Sequence, residues 1–217
     1  MFFAKGIHMQ RKHWILGAAL CVLPVASQAA TTLLDENFDA LTPMLAVTSA
    51  GSFSAINGTN VDIVGGALFG GLCAGPESGN CIDLDGSNGN SQGVLRSNAS
   101  FTLLPGVTYL LSYDLIGSQR GNTTSATVNF GPYTRVFTLA SGDDTSGVVS
   151  NAAITVTTPT TAFLSFSSNT PGNVGTVLDN VSLIASSGAA GVPEPATLSL
   201  LTLGLVVVGF ARRRRAS

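Results

Sequence analysis

The chain lacks, over most of its length, the side chains that common enzyme mechanisms require. Both histidines, His8 and His13, both lysines, Lys5 and Lys12, and the only tryptophan, Trp14, stand before Ile15. Past that point there is neither an imidazole nor an amine side chain, which excludes a Ser-His-Asp triad, a Cys-His pair and a Ser-Lys dyad. Cysteine is scarce, with only Cys21, Cys73 and Cys81, so a zinc site has too few ligands. Charge is scarce as well. Between Lys12 and Arg212 the only basic residues are Arg96, Arg120 and Arg135, against eleven acids from Asp35 to Asp179. A section of that sign repels phosphate backbones, so no nucleic-acid partner is expected. Long apolar runs occur only at the two ends, and no stretch between Thr31 and Gly191 has a helical period.

At the N-terminus, Arg11 and Lys12 precede an apolar run from Trp14 to Val25, followed by Ser27-Gln28-Ala29. A basic flank, a short apolar core and small residues at the exit are the layout of a secretory signal peptide, residues 1–29, cut by signal peptidase after Ala29. Met9 is an alternative start. Leu20 stands where a lipoprotein signal needs a small residue before Cys21, which argues against lipidation. Export leaves Cys73 and Cys81 in an oxidising compartment, where they are expected to form a disulfide. Closing so short a loop is worth roughly 2.5 kcal/mol on the chain-entropy model; two unpaired thiols in a loop are the alternative.

The middle is rich in Gly, Ser, Thr, Asn and Val, the composition of a β protein with many turns. Val107–Leu115 alternates, with Tyr109, Leu111, Tyr113 and Leu115 on one face. Ser125–Phe130, Tyr133–Leu139, Ile154–Thr158, Ala162–Phe166 and Val177–Leu183 continue the period of two, and Phe130-Gly131-Pro132-Tyr133 reads as a tight turn. Together they predict an antiparallel β-sandwich spanning residues 30–184, followed by a flexible linker over 185–191. The Gly- and Asn-rich stretch 65–93 is either a recognition surface or a tied-down excursion.

Carboxylates are the remaining chemical tools. Asp83 and Asp85 lie two apart, and Asp143 and Asp144 sit in a turn; a pair of acids is what a glycosidase needs, although solvated turn residues are the plainer reading. Asp83 to Gly89 departs from a calcium-loop pattern, having Asn88 where Gly is required and Val94 where Glu is required. It fits a strand running into an Asp-Gly turn. Glu36 shares a face with Leu34 and Phe38, and Asp179 with Val177, Val181 and Leu183. An unpaired charge among apolar neighbours is costly, so either a structural Ca2+ binds at Glu36 and Asp179, or their carboxylates reach water or accept backbone N–H groups.

The C-terminus, residues 192–217, has three parts: Val192-Pro193-Glu194-Pro195, an apolar run from Ala196 to Ala211, and Arg212, Arg213, Arg214 and Arg215. As a helix the run spans about 24 Å, short of a roughly 30 Å hydrocarbon core, so it suits a marginal or temporary membrane anchor. The arginines keep to the cytoplasmic side and the sandwich to the far side. Two prolines around Glu194 keep the backbone extended, as a protease binding a strand requires. This order of parts resembles the PEP-CTERM sorting signal of exopolysaccharide-producing Gram-negative bacteria. The resemblance implies an exosortase-type membrane protease as partner, an inner-membrane intermediate, and a final place at the cell surface or outside the cell.

The segments LLDENFDALTP from Leu33, LLPGVTYLLSYDL from Leu103, TAFLSFSS from Thr161 and GNVGTVLDNVSLI from Gly172 resemble strands of jelly-roll domains related to galactose-binding and carbohydrate-binding modules. That resemblance implies a calcium site at Glu36 and Asp179. The expectation is an exported, non-enzymatic surface or extracellular-matrix protein associated with exopolysaccharide or biofilm. The alternatives are a carbohydrate-binding module with a specific glycan, and a carboxylate-based surface hydrolase.

Overall fold

Alternation becomes strand wherever one face can be buried, and the run from Val107 shows how. In the computed structural model, which describes residues 30–73, 79–88, 92–142 and 149–187, Tyr109, Leu111, Tyr113 and Leu115 are buried while Leu110, Ser112 and Asp114 between them are partly open. This strand, β9 (Val107–Ile116), lies within a seven-stranded sheet. The others in that sheet are β1 (Thr31–Glu36), β2 (Met44–Val47), β5 (Val61–Val64), β6 (Cys81–Asp83), β12 (Val149–Ile154) and β15 (Val177–Ser187). The order is β12-β9-β15-β6-β5-β2, with β1 also on β15. A six-stranded sheet faces it, ordered β11-β10-β14-β7-β4-β3. Its members are β3 (Ser49–Ala50), β4 (Phe53–Ala55), β7 (Val94–Ser97), β10 (Thr124–Phe130), β11 (Tyr133–Leu139) and β14 (Leu164–Ser168). A two-stranded ladder pairs β8 (Phe101–Leu103) with β13 (Thr160–Ala162). Every strand pair is antiparallel. The chain thus folds as the all-β sandwich its alternation predicts, and the one helical element among the described residues is a 3-10 turn at Gly70–Leu72.

The two inner faces interdigitate in one core. Phe53, Leu95, Phe130 and Phe166 come from the six-stranded sheet, and Ile82, Leu111, Tyr113 and Leu178 from the seven-stranded one. A chain of rings crosses the interface, with Phe53–Phe166 at 6.0 Å, Phe166–Tyr113 at 5.3 Å and Tyr113–Phe137 at 5.9 Å, each edge to face. That arrangement sets the positive edge of one ring against the negative face of the next. The Tyr113 hydroxyl meets that of Tyr133 at 3.0 Å, which satisfies a polar atom that burial would otherwise strand. β10 and β11 form the expected hairpin, with Phe130 opposite Tyr133 and Gly131 at φ 56°, the positive φ that a two-residue turn opening with Gly calls for.

Four boundaries differ from the pattern-based expectation, each for a local reason. The run Ile154–Thr158 leaves the ladder at Ile154, ahead of Pro159, which has no N–H to give a sheet. The run Ala162–Phe166 divides at Phe163: Ala162 pairs with Phe101, whereas Leu164 pairs with Phe130. The last strand continues past Ile184, because Ala185, Ser186 and Ser187 lie opposite Tyr109, Thr108 and Val107; the linker therefore begins later than residue 185. Most consequential is a bulge between Asp179 and Ser182, where Asn180 takes φ 50°. It resets the pleat, so that Val181 and Leu183 point into the core with Leu178, while Val177 belongs to a separate cluster on the outer face. Asp179 stays with Val177 on that outer face and does not share one with Val181 and Leu183 as the unbroken period suggested.

Phe166 is fully buried and touches rings from both sheets. Phe166→Ala is expected to lower the unfolding free energy by about 3–5 kcal/mol. Val136→Ala, at a position 61% exposed on the opposite side of its strand, is expected to change it by less than about 0.5 kcal/mol. Urea denaturation of the two variants checks both values.

Candidate functional site

The outer face of the seven-stranded sheet carries the chemistry. In β5 and β6, Ile63 faces Ile82 and both point inward, so by alternation Asp62 and Asp83, also directly opposite one another, point outward. Two like charges in that position repel, and both are buried. Each is held by internal donors. Asp62 Oδ1 accepts the Ala46 amide at 2.7 Å and the Ser87 amide at 2.9 Å, and its Oδ2 accepts the Ser87 hydroxyl. Asp83 Oδ1 accepts the Asp85 amide at 3.0 Å, and its Oδ2 accepts Arg120 Nη2 at 2.6 Å. The same guanidinium donates through Nη1 to the Asn173 carbonyl at 2.7 Å, which ties the loop after β9 to the loop before β15. Gly175 permits this convergence: a Cβ there would collide with Asp83 Oδ1.

Burial sets the acidity of the group. It pushes the Asp83 carboxyl up to about 7, with the Asp85 and Asp62 charges adding to the effect and the Asp85 amide and Arg120 opposing it. Burial likewise pushes Asp85 up to about 6. The Ser168 hydroxyl and the Gly93 amide lie against Asp85 and favour its ionised form, but neither reaches hydrogen-bond geometry with its carboxylate oxygens.

Beside these acids lies a cavity of about 410 Å3. Its floor is Asp62, Val64 and Asp83; one wall is Phe69, Gly71 and Leu72; the other is Ser87, Gln119, Arg120 and Asn173. Phe69 is 57% exposed and presents its ring at the rim. The first wall is fastened beneath by a small cluster of Val64, Leu72, Cys73, Cys81, Ile116 and Val177. Within it, Cys73 and Cys81 form the expected disulfide, with Cα atoms 5.7 Å apart. Carboxylate, guanidinium, amide and hydroxyl groups beside an exposed ring give this surface both hydrogen-bonding and apolar character.

Glu36 and Asp179 are not brought together. Glu36, opposite Val181, turns inward, and its two oxygens accept the Phe38 amide at 3.2 Å and the Ser52 amide at 2.8 Å. Asp179 stands on the outer face, opposite Asp114, and accepts the Asn180 amide at 2.8 Å. Among the described residues no three acidic, thiol or imidazole groups converge on a point that would hold a metal ion, nor is any helix long and apolar enough to cross a membrane. The signal peptide, Asp143, Asp144, the Val192–Pro195 motif and the Arg212–Arg215 cluster lie outside the described residues. Sequence reasoning singled out neither Asp62 nor Arg120. The available signals were an acid inside an otherwise apolar strand, Val61–Val64, and the small number of arginines in the domain.

Compared with known families, residues 191–215 match the PEP-CTERM protein-sorting motif. The tail is a PEP-CTERM sorting signal. Such a signal indicates export and a surface or extracellular location. No curated protein matches the chain in sequence. Among solved structures, the fold is similar to the CBM22-1–GH10 modules of Clostridium thermocellum xylanase 10B, at 14% identity and TM-score 0.44, covering 76% of this chain and 30% of that one. A xylan-binding domain from CBM 22 gives 12% identity and TM-score 0.45, covering 77% of this chain and all, 100%, of that one. The K3 cleaved adhesin domain of Lys-gingipain from Porphyromonas gingivalis gives 16% identity and TM-score 0.42, covering 72% and 99%.

The raised acids make a signed prediction. A carboxyl whose pKa is higher in the folded than in the unfolded state adds stability below its unfolded value, near 3.8, and that contribution is lost as pH rises through its folded value, about 7 for Asp83 and about 6 for Asp85. The denaturation midpoint of the exported chain is expected to fall between about pH 4 and pH 7. Asp83→Asn, which cannot ionise, should flatten that fall; a wild-type slope retained in the variant contradicts the assignment.

Proposed function

We propose that this protein is an exported, non-enzymatic component of the cell surface or extracellular matrix, delivered through its PEP-CTERM tail and associated there with polysaccharide. The observation that carries this reading is the sorting motif over residues 191–215. In this reading a membrane-embedded protease of the exosortase type binds the extended Pro193-Glu194-Pro195 stretch as a strand, while the apolar run and Arg212–Arg215 hold the chain at the inner membrane. The layout of the sandwich is compatible with such a tether. The first strand begins beside the end of the last, with Thr31 opposite Ala185, so both ends of the domain emerge at one pole. Val177, which packs beneath the cavity, opens β15, and Ser187 closes it at the other end. Eleven residues of strand set those points about 35 Å apart.

Replacing Pro193, Glu194 and Pro195 with alanine should leave export intact and block removal of the tail. Intact-mass measurement of the released protein reads this directly. Release of a product with unchanged mass contradicts the sorting role.

A second reading, a carbohydrate-binding module with a defined glycan, is favoured by the cavity. Its guanidinium, amide and hydroxyl groups supply polar contacts for sugar hydroxyls, and Phe69 offers an apolar face to a pyranose ring. A hydrolase is less well supported, because Asp62 and Asp83 are both committed to internal donors and neither is poised to attack or to deprotonate water. Affinity electrophoresis in neutral polysaccharides separates the first two readings. Phe69→Ala should weaken retention by about three- to tenfold if the ring stacks on sugar. Equal retention of variant and wild type rules this cavity out as the glycan site.

A further inference from the structure

The two sides of the cavity are held in different ways. Asp62 and Asp83 stand on paired strands, fixed by the ladder between β5 and β6. Phe69, Gly71 and Leu72 stand on the segment that leaves β5 after Val64. Its backbone bonds are local: Gly65 pairs with Leu68, and Gly70, Leu72 and Cys73 donate to Gly66, Phe69 and Gly70. Glycines at 65, 66, 70 and 71 give the unfolded segment a large conformational entropy, and Phe69 sits at φ 55°, a region unfavourable for a side chain of its size. Behind the segment is a second hollow of about 380 Å3, bordered by Gly66, Gly70, Cys73, Gly79 and Asn80. The segment thus borders both hollows, one through Phe69, Gly71 and Leu72 and the other through Gly66, Gly70 and Cys73. It is fastened by the burial of Leu72 and Cys73 against the outer face and by the disulfide to Cys81, two residues before Asp83 on the same face of β6.

We propose that oxidation of Cys73 and Cys81 sets this wall, so that the cavity is assembled only once the chain has been exported. The proposal rests on the reading that this cavity takes a ligand, and it makes binding competence a consequence of location. In the reaction one Sγ–Sγ bond forms. Each thiol gives up a proton, and the pair gives up two electrons to a disulfide-bonded thiol oxidoreductase of the receiving compartment, which leaves as its dithiol. The main core does not share this dependence. Its residues form a separate cluster between the two sheets, on the opposite side of β5, β6, β9 and β15 from the cysteines, so loss of the disulfide should loosen the wall and leave the sandwich folded.

Hydrogen exchange on the exported chain tests this, comparing the oxidised protein, the protein reduced with dithiothreitol, and Cys73→Ala/Cys81→Ala. The amides of Gly70, Leu72 and Cys73 should exchange at least about tenfold faster in both disulfide-free forms, while those of Leu111 and Leu183 change by less than about twofold. Unchanged exchange at Gly70–Cys73 overturns the proposal, as does parallel loss of protection throughout the sandwich, which would make the disulfide a global staple. Retention in neutral polysaccharide gels is measured on the same samples. Equal retention with and without the disulfide also overturns the proposal. If no form is retained, the glycan reading falls and the exchange data alone decide how the wall is held.

Discussion

The architecture depends on how β15 is paired. It lies against β9 along most of its length, while on its other edge it meets β6 at Val177 and Leu178 and then β1 from Val181 to Ala185. The bulge at Asn180 falls at that change of partner. A bulge adds a residue and reverses the facing of the residues beyond it, so one strand serves two purposes. Before the bulge it gives Val177 and Asp179 to the outer face; after it, Val181 and Leu183 fill the core. The same pairing places the first strand beside the last, with Thr31 opposite Ala185.

The acids on the outer face are tolerated because a scarce resource is placed among them. The sandwich has three arginines and no lysine. Arg96 lies 4.5 Å from the Phe163 ring and Arg135 4.8 Å from that of Phe137, leaving Arg120 for Asp83. A guanidinium suits that post better than an ammonium, since its fork reaches a carboxylate and the Asn173 carbonyl together. The pair does not restore ordinary acidity to Asp83, because desolvation outweighs the attraction of a partner that remains 38% exposed. The result is a buried group that changes charge near neutrality next to an open cavity.

Much of the sandwich was legible in the chain. The inward face of Val107–Leu115, the Gly131-Pro132 hairpin and the Cys73–Cys81 bond all come from local pattern, turn chemistry or compartment. The facing of Asp179 was not legible. Nothing in Leu178-Asp179-Asn180-Val181 marks the bulge except an Asn, one of the few residues besides Gly that readily take a positive φ. The cavity was hidden for a different reason. Asp62 and Asp83 become neighbours through the register of two strands separated by a long Gly-rich excursion, and register is a property of the paired sheet. Arg120 reaches Asp83 from the loop after β9, and Gly175 lets the loop before β15 approach the same carboxylate. The reversed pleat also puts Asp179 on the outer face, whereas Glu36, opposite Val181, turns inward.

The sorting tail and the disulfide bear on one another through topology. On the proposed reading, in which the tail holds the sandwich at a membrane until it is cut, the domain folds on the far side, where thiols are oxidised. The cysteines could have been placed anywhere that closes a short loop with similar entropic benefit. They are placed on the outer face, one on β6 beside Asp83 and one at the end of the segment that carries Phe69 and Leu72. A bond meant only to stabilise the sandwich would do more between its sheets, where it would cross-link residues distant in sequence. Its position under a cavity wall ties it to the state of that wall, and through the wall to the compartment in which the chain resides.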